Sequence, residues 1–224
     1  LSVEWGLLGS NPLSSVKKME EEGRERYLSS EEIGRLLSEC KSPHLHIAVM
    51  IALNTGLRLT DVLTLEWRRD VDMEEKVVRK RIVKKKGPLK VVMIPMTAAL
   101  HSALTDYKKQ QKVMSKWVVP SPVKPSKCMS ADSNFGFETA CVRAGIDVIE
   151  REWTVKGVKK KFKGSSFRFH DLRHTFASHF AQRTGNLGAL QEILGHSDPK
   201  MTKRYAHFCV DFKRKMMELF ENNA

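Results

Sequence analysis

Residues 168–205 read RFHDLRHTFASHFAQRTGNLGALQEILGHSDPKMTKRY, helix-forming runs separated by strong stops. The run from His170 to Ala181 reads as a helix, and Thr184-Gly185-Asn186 as a loop. Leu187 to Leu194 is a short helix stopped by Gly195, and Asp198-Pro199 starts a last helical segment through Met201 to Tyr205. His170 and Arg173 stand three apart, which on a helix puts both side chains on one face. Tyr205 comes nine residues after His196, across the Asp198-Pro199 turn. Two imidazoles, a guanidinium and a phenol suit an anionic, oxygen-rich centre. Arginine grips phosphate oxygens bidentately, imidazoles hydrogen-bond or move protons near neutrality, and tyrosine can be a nucleophile.

Working outward, residues 149–163 contain WTVKGVKKKFK, a small basic hairpin turning at Gly157. Further upstream, helices are expected over 135–144 (capped by Ser133 or Asn134) and over 97–112, with a turn-rich loop between them. From Lys76 to Pro95 the period changes. Val77-Val78, Ile82-Val83 and Val91-Val92-Met93-Ile94 predict two or three antiparallel strands, with Lys84-Lys85-Lys86 at a hairpin tip. Strand alternation lets either Lys85, or Lys84 and Lys86, face one side; taken alone, such lysines are a solvated face.

Leu45 to Asn54 reads as an apolar helix stopped by Thr55-Gly56, and Arg58 follows at a helix–helix joint. An arginine buried there is costly without a partner, so Asp61 is expected either to salt-bridge it or to orient it. Ser29 or Ser30 caps a helix with Glu31 and Glu32 in its first turn and Ile33, Leu36 and Leu37 as its apolar stripe. Leu1 to Gly9 could finish another helix, broken at Asn11-Pro12. At the other end, Phe212 to Phe220 forms a final amphipathic helix.

The 39 Lys and Arg outnumber the 26 Asp and Glu, a surplus of +13 that points to a polyanionic partner. No apolar run is long enough to span a bilayer and no signal peptide is visible, so nucleic acid is favoured over a membrane. Cys40, Cys128, Cys141 and Cys209 are scattered without a C-x-x-C pair, so they read as small packing residues rather than a disulfide framework or zinc knuckle.

The segments HDLRHTFASH, LGHSDPKMTKRYAH and, far upstream, NTGLRLTDVLTLEW resemble, in order, the boxes of the tyrosine recombinase (phage integrase) family. The resemblance runs from about Tyr27 to Tyr205. It implies a mainly α catalytic-domain fold with a small antiparallel β-sheet, over residues 27–224 with a carboxy-terminal helix. Residues 1–26 would be a remnant of the amino-terminal core-binding domain and the interdomain linker. A chain beginning at Leu1 is accordingly read as a piece of a longer protein.

The resemblance further implies DNA cleavage and rejoining through a 3′-phosphotyrosine on Tyr205, without metal, ATP or other cofactor. Arg58 and Arg173 would hold the phosphate oxygens, His196 would donate a hydrogen bond to the phosphate, and His170 would accept or help accept the tyrosine proton. The hairpin lysine would protonate the leaving oxygen. The family's K-x-G pattern points to Lys85 and its K-G variant to Lys86; Lys85 is taken. The implied partners are double-stranded DNA, the chain itself as a tetramer on two sites, and an accessory bending or directionality factor. The implied setting is the cytoplasm, at the nucleoid, of a prokaryote or its phage. Taken alone, residues 212–220 read as a terminal packing helix; in the family such helices dock on a neighbouring protomer, and the sequence favours neither reading.

A type IB topoisomerase, or a DNA-binding regulator that has lost activity, remains open. His170 and His174 in HDLRH superficially resemble a zinc helix, but Arg173 would set a fixed cation beside the metal. His174 and His179 are therefore expected to make ordinary hydrogen bonds, either in the core or to the residues that do the chemistry. The basic 149–163 hairpin falls where the resemblance is silent; it is either a flap adding phosphate contacts or a solvated insertion.

Overall fold

The computed structural model describes residues 3–12, 14, 26–82, 90–111, 115–130, 136–155 and 158–222. Residues 3–12 form turns rather than the expected end of a helix. Helix α1 (Ser30–Glu39) begins on a reciprocal cap: the Ser29 hydroxyl accepts from the Glu32 amide at 3.2 Å, and the Glu32 carboxylate accepts from the Ser29 amide at 2.9 Å. Its neighbour α2 (Pro43–Thr55) is apolar all round, with Leu45, Ile47, Ala48, Val49, Ile51 and Ala52 buried. That composition makes α2 the central helix. It packs against α5 (Ala98–Gln110) and against α7 (Asp171–Thr184), the helix carrying HDLRH.

Gly56 ends α2 in the left-handed region, at φ 64°. Short helices α3 (Leu59–Leu63) and α4 (Trp67–Asp70) lead into strands β1 (Val71–Asp72), β2 (Val77–Ile82) and β3 (Lys90–Pro95). They form one antiparallel sheet in the order β1-β2-β3, with Val78 opposite Ile94 and Lys80 opposite Val92. Lys85 and its flanking lysines lie outside the described residues. Helix α6 (Phe137–Arg143) starts after Gly136; Ser133 and Asn134, expected as its caps, also lie outside them.

The basic hairpin stands where its sequence placed it, one residue longer at its start and two at its end, and its expected turn at Gly157 lies outside the described residues. Strand β4 (Val148–Val155) pairs with β5 (Val158–Ser165) along its whole length. Lys159, Lys161 and Lys163 pair across with Thr154, Glu152 and Glu150, and so share one face. The root of the hairpin is pinned. Arg151 bridges Glu138 at 2.9 Å and the Ser165 hydroxyl donates to the Ile146 carbonyl at 2.8 Å.

After α7, helix α8 (Leu187–Leu194) ends at Gly195, then come α9 (Lys200–Lys203), a 3₁₀ turn (Ala206–Cys209) and α10 (Val210–Asn222). The main core gathers α1, α2, α5, α6, the sheet and the start of α7. A second cluster, Ala177, Ala181, Leu190, Leu194, Tyr205 and Cys209, lies under the C-terminal half of α7. Helix α10 packs on α7 of its own chain and leaves Met216, Met217, Leu219 and Phe220 exposed. Among the described residues no helix is long and apolar enough to cross a membrane.

Candidate active site

Arg173 joins two of the sequence boxes to its own. It is 3% exposed, and its Nη1 donates to the Gly56 carbonyl at 2.7 Å while Nη2 donates to the Leu194 carbonyl at 2.9 Å. The first bond fixes the loop before Arg58; the second fixes the end of α8 before His196. Nη2 also lies 2.9 Å from His196 Nε2. Arginine only donates, so Nε2 accepts, the imidazole is neutral, and its proton sits on Nδ1, 2.8 Å from the Thr202 hydroxyl. Burial first, then Arg173, Arg58 and Lys80, push the His196 pKa down to about 4. In this arrangement His196 accepts from Arg173, where the sequence led us to expect a donor to phosphate.

Arg58 stands at the start of α3 with its side chain exposed, and it makes no side-chain hydrogen bond or ion pair among the described residues. The expected contact with Asp61 is absent among them. The closest cation to that carboxylate is instead Lys80, whose Nζ lies 3.8 Å from Oδ2, an atom with no hydrogen bond of its own. Lys80 is 4% exposed, and its Nζ donates to the Leu194 carbonyl at 2.8 Å.

At such a separation and an effective dielectric near 20, carboxylate attraction is worth about 4 kcal/mol, against several kcal/mol for removing an ammonium from water. Burial wins. The Lys80 pKa is pushed down to about 8, with Arg173 and Arg58 opposing its charge and Asp61 favouring it. Burial followed by Arg58 likewise lowers the Arg173 pKa to about 10. Three basic side chains thus share one nearby carboxylate, an imbalance that favours an incoming anion.

Tyr205 is 4% exposed, its ring packed in the second apolar cluster. The partner of its hydroxyl is His174, not His170: His174 Nδ1 lies 2.6 Å away. Burial, then Arg204 and His170, lower the His174 pKa to about 4, while burial raises that of Tyr205. Both groups are therefore neutral, and the phenol donates to Nδ1. Arg204 and then Arg173 act electrostatically on the phenol and oppose that rise. The His170 ring is 5.3 Å from that of His174, edge to face, and His170 is exposed. His179 binds the Leu28 carbonyl at 2.8 Å, the ordinary core bond expected of it.

Gly56 sits where no other residue fits. A Cβ there would lie 2.6 Å from Phe176 Cδ1 and 2.7 Å from Leu194 Cδ2. Arg173 meets His196 directly and Arg58 acts on both electrostatically; Tyr205 and His170 each meet His174, the residue after Arg173 on α7. Lys80 is the member that sequence reasoning passed over; His174, expected to make an ordinary hydrogen bond, makes it to the Tyr205 phenol. Lys80 carried a signal, since it falls two residues after Val78 on the inward face of β2.

This fold is shared with solved recombinase structures. The catalytic domain of bacteriophage HP1 integrase is 29% identical, with a TM-score of 0.55 over 86% of this chain and 93% of that one. The Tn1549 transposon integrase, solved in complex with circular intermediate DNA, gives a TM-score of 0.66 at 21% identity over 96% of this chain and 73% of that one, a likeness of fold. The chain belongs to the phage integrase family, whose sequence model matches residues 26–210. The integrase of Salmonella phage P22 is 33% identical over 219 residues, which is 91% of this chain and 49% of the relative. The chain spans about half the length of the curated relatives it matches.

Proposed function

We propose that this chain is the catalytic part of a site-specific DNA recombinase that cuts and rejoins DNA through a 3′-phosphotyrosine on Tyr205. The observation that carries the reading is a phenol stored against an imidazole within electrostatic reach of buried Arg173, which itself faces exposed Arg58, basic groups with too few carboxylates to balance them. Phosphoryl transfer asks mainly for positioning and charge stabilisation, and that cluster supplies both. The names of the relatives, integrases among them, support the same reading.

In the proposed step the Tyr205 oxygen attacks phosphorus, the bond to the 5′-oxygen breaks, and the phosphate remains esterified to the enzyme. Arg58 and Arg173 hold the non-bridging oxygens as charge develops. The phenol must first leave His174. Tyr205 sits between one short helix and a 3₁₀ turn, a junction with little regular structure to hold it back. His170, the exposed imidazole beside His174, receives its proton. A phosphate arriving at Arg173 competes for the guanidinium that now binds His196, freeing that ring to take a proton and donate to the substrate. Lys85 protonates the departing 5′-oxygen. The ester conserves the phosphodiester energy, so rejoining needs no ATP, and the guanidinium and ammonium groups take the place of a metal.

Double-stranded DNA is the proposed substrate, with the chain acting as a tetramer on two sites, assisted by a bending or directionality factor. Lys159 and Lys163 of the β4–β5 hairpin add phosphate contacts, and Lys161, which bridges Glu152 on the same face at 3.6 Å, is drawn to phosphate in competition with that carboxylate. The test is trapping on a pool of nicked random-sequence duplexes, in chelator and without nucleotide. A recombinase accumulates covalent adduct at selected sequences, and Tyr205→Phe abolishes it while retaining binding. Relaxation of any supercoiled plasmid would indicate a topoisomerase; mobility shift with no adduct would indicate a bare binder.

A further inference from the structure

One buried titratable group in the cluster takes no part in these steps. Lys80 enters from the inward face of β2, and its ammonium meets the last carbonyl of α8, that of Leu194, at 2.8 Å. Arg173 Nη2 binds the same oxygen at 2.9 Å. A helix C-terminus presents the negative end of its dipole, so the carbonyl attracts each cation even though the two oppose one another. We propose that Lys80 is a positioning residue: together with Arg173 it clamps the end of α8, and so sets where His196 and the Arg173 guanidinium stand when a phosphate arrives. This rests on the phosphoryl-transfer reading of the site.

The alternative is that Lys80 only fills the core. A methionine fills that space without the desolvation that a buried ammonium carries, and buried charges are commonly replaceable by apolar groups at no loss of stability. The neighbours argue against a packing role. Lys80 is faced by Asp61 of α3 and by the cations Arg58, at the entry to α3, and Arg173 of α7; it also acts on His196, after α8. Only one of these stabilises its charge. Asp61 in turn leaves Oδ2 without a hydrogen bond and offers it to the ammonium at 3.8 Å. Here a cation is retained where folding alone disfavours it.

Lys80→Met tests the proposal, because Arg173 continues to satisfy the Leu194 carbonyl and the fold survives. The first measurement needs no DNA. NMR titration of the His196 ring should show its midpoint move up from about 4 in the variant, since the ring loses a neighbouring cation and its loop loses one tether. An unchanged midpoint would overturn the proposal. The second is single-turnover adduct formation on duplexes selected from the random pool, at saturating DNA. The rate should fall by about 10²-fold, the scale set by small misplacements of reacting groups, with DNA affinity and thermal midpoint retained. A fall in thermal midpoint matching the fall in rate would mean a structural role only.

A duplex with sulfur at the 5′-bridging position separates positioning from proton donation, because a thiolate leaves without a proton. The defect should persist on it; its disappearance would make Lys80 the acid and overturn the positioning role. If the unaltered chain forms no adduct at all, the recombinase reading fails, while the His196 titration still decides the placement of Lys80.

Discussion

Gly56→Ala should damage both the fold and the chemistry, by amounts that follow from its surroundings. Gly56 has φ 64°, where an alanine costs roughly 1–2 kcal/mol. The added methyl would lie 2.6 Å from Phe176 and 2.7 Å from Leu194, and overpacking of this kind costs about 1–3 kcal/mol. Together these give a loss of roughly 2–5 kcal/mol; at about 3 kcal/mol, a chain of this size loses about 6–12 °C in Tm. The backbone shift also moves the Gly56 carbonyl, held by Arg173 at 2.7 Å, and the loop leading to Arg58. Urea denaturation gives the stability, and adduct formation at low temperature, where the variant stays folded, gives the chemistry. A loss below about 1 kcal/mol with unaltered cleavage would refute the packing and strain assigned to this position.

Arg58→Ala should leave stability within about 0.5 kcal/mol, since the side chain is exposed, yet slow cleavage by about 10²-fold or more. Equal losses of DNA affinity and cleavage would contradict the role given to it. Stability should fall as pH drops below about 6.5. His174 and His196 have folded values near 4 against an ordinary 6.5, so the unfolded chain takes up protons first, and each imidazole contributes a slope of up to about 1.4 kcal/mol per pH unit. The part of the loss between pH 6.5 and about 5 precedes carboxylate titration; a flat profile there would mean that these rings are not buried neutral. Replacing Lys159, Lys161 and Lys163 with glutamine should reduce the salt dependence of DNA binding by up to about three counterions, and an unchanged slope would make the hairpin a solvated insertion.

Much of the site was legible because its parts are local signals. The left-handed stop at Gly56 and the cap at Ser29 are one-residue or four-residue patterns, and the helices they bound lie where periodicity placed them. Arg58, Arg173 and His196 come from three separate boxes, and family resemblance predicted their convergence. What escaped the sequence depends on tertiary packing. Two histidines four apart, His170 at the cap of α7 and His174 on it, give no hint which will meet the phenol; the choice of His174 is made by the second apolar cluster that draws the Tyr205 ring in. Asp61 was paired with Arg58 by proximity in sequence, but β2 brings Lys80 to it instead. Lys80 lies two residues after Val78 on the inward face of β2, a placement that strand alternation carries but that only the folded sheet joins to Asp61 and Leu194. The β4–β5 hairpin was shortened slightly at both ends because its exposed strands mix charge and aromatic residues and lack a clean apolar face.

The most direct measurement is mass spectrometry of the chain trapped on a nicked duplex, digested with protease and nuclease, with the attached DNA end sequenced. The expected product is a peptide containing Tyr205 that carries a nucleotide through its 3′-phosphate. A nucleotide on another residue, or one joined through its 5′-phosphate, would contradict the role given to that phenol.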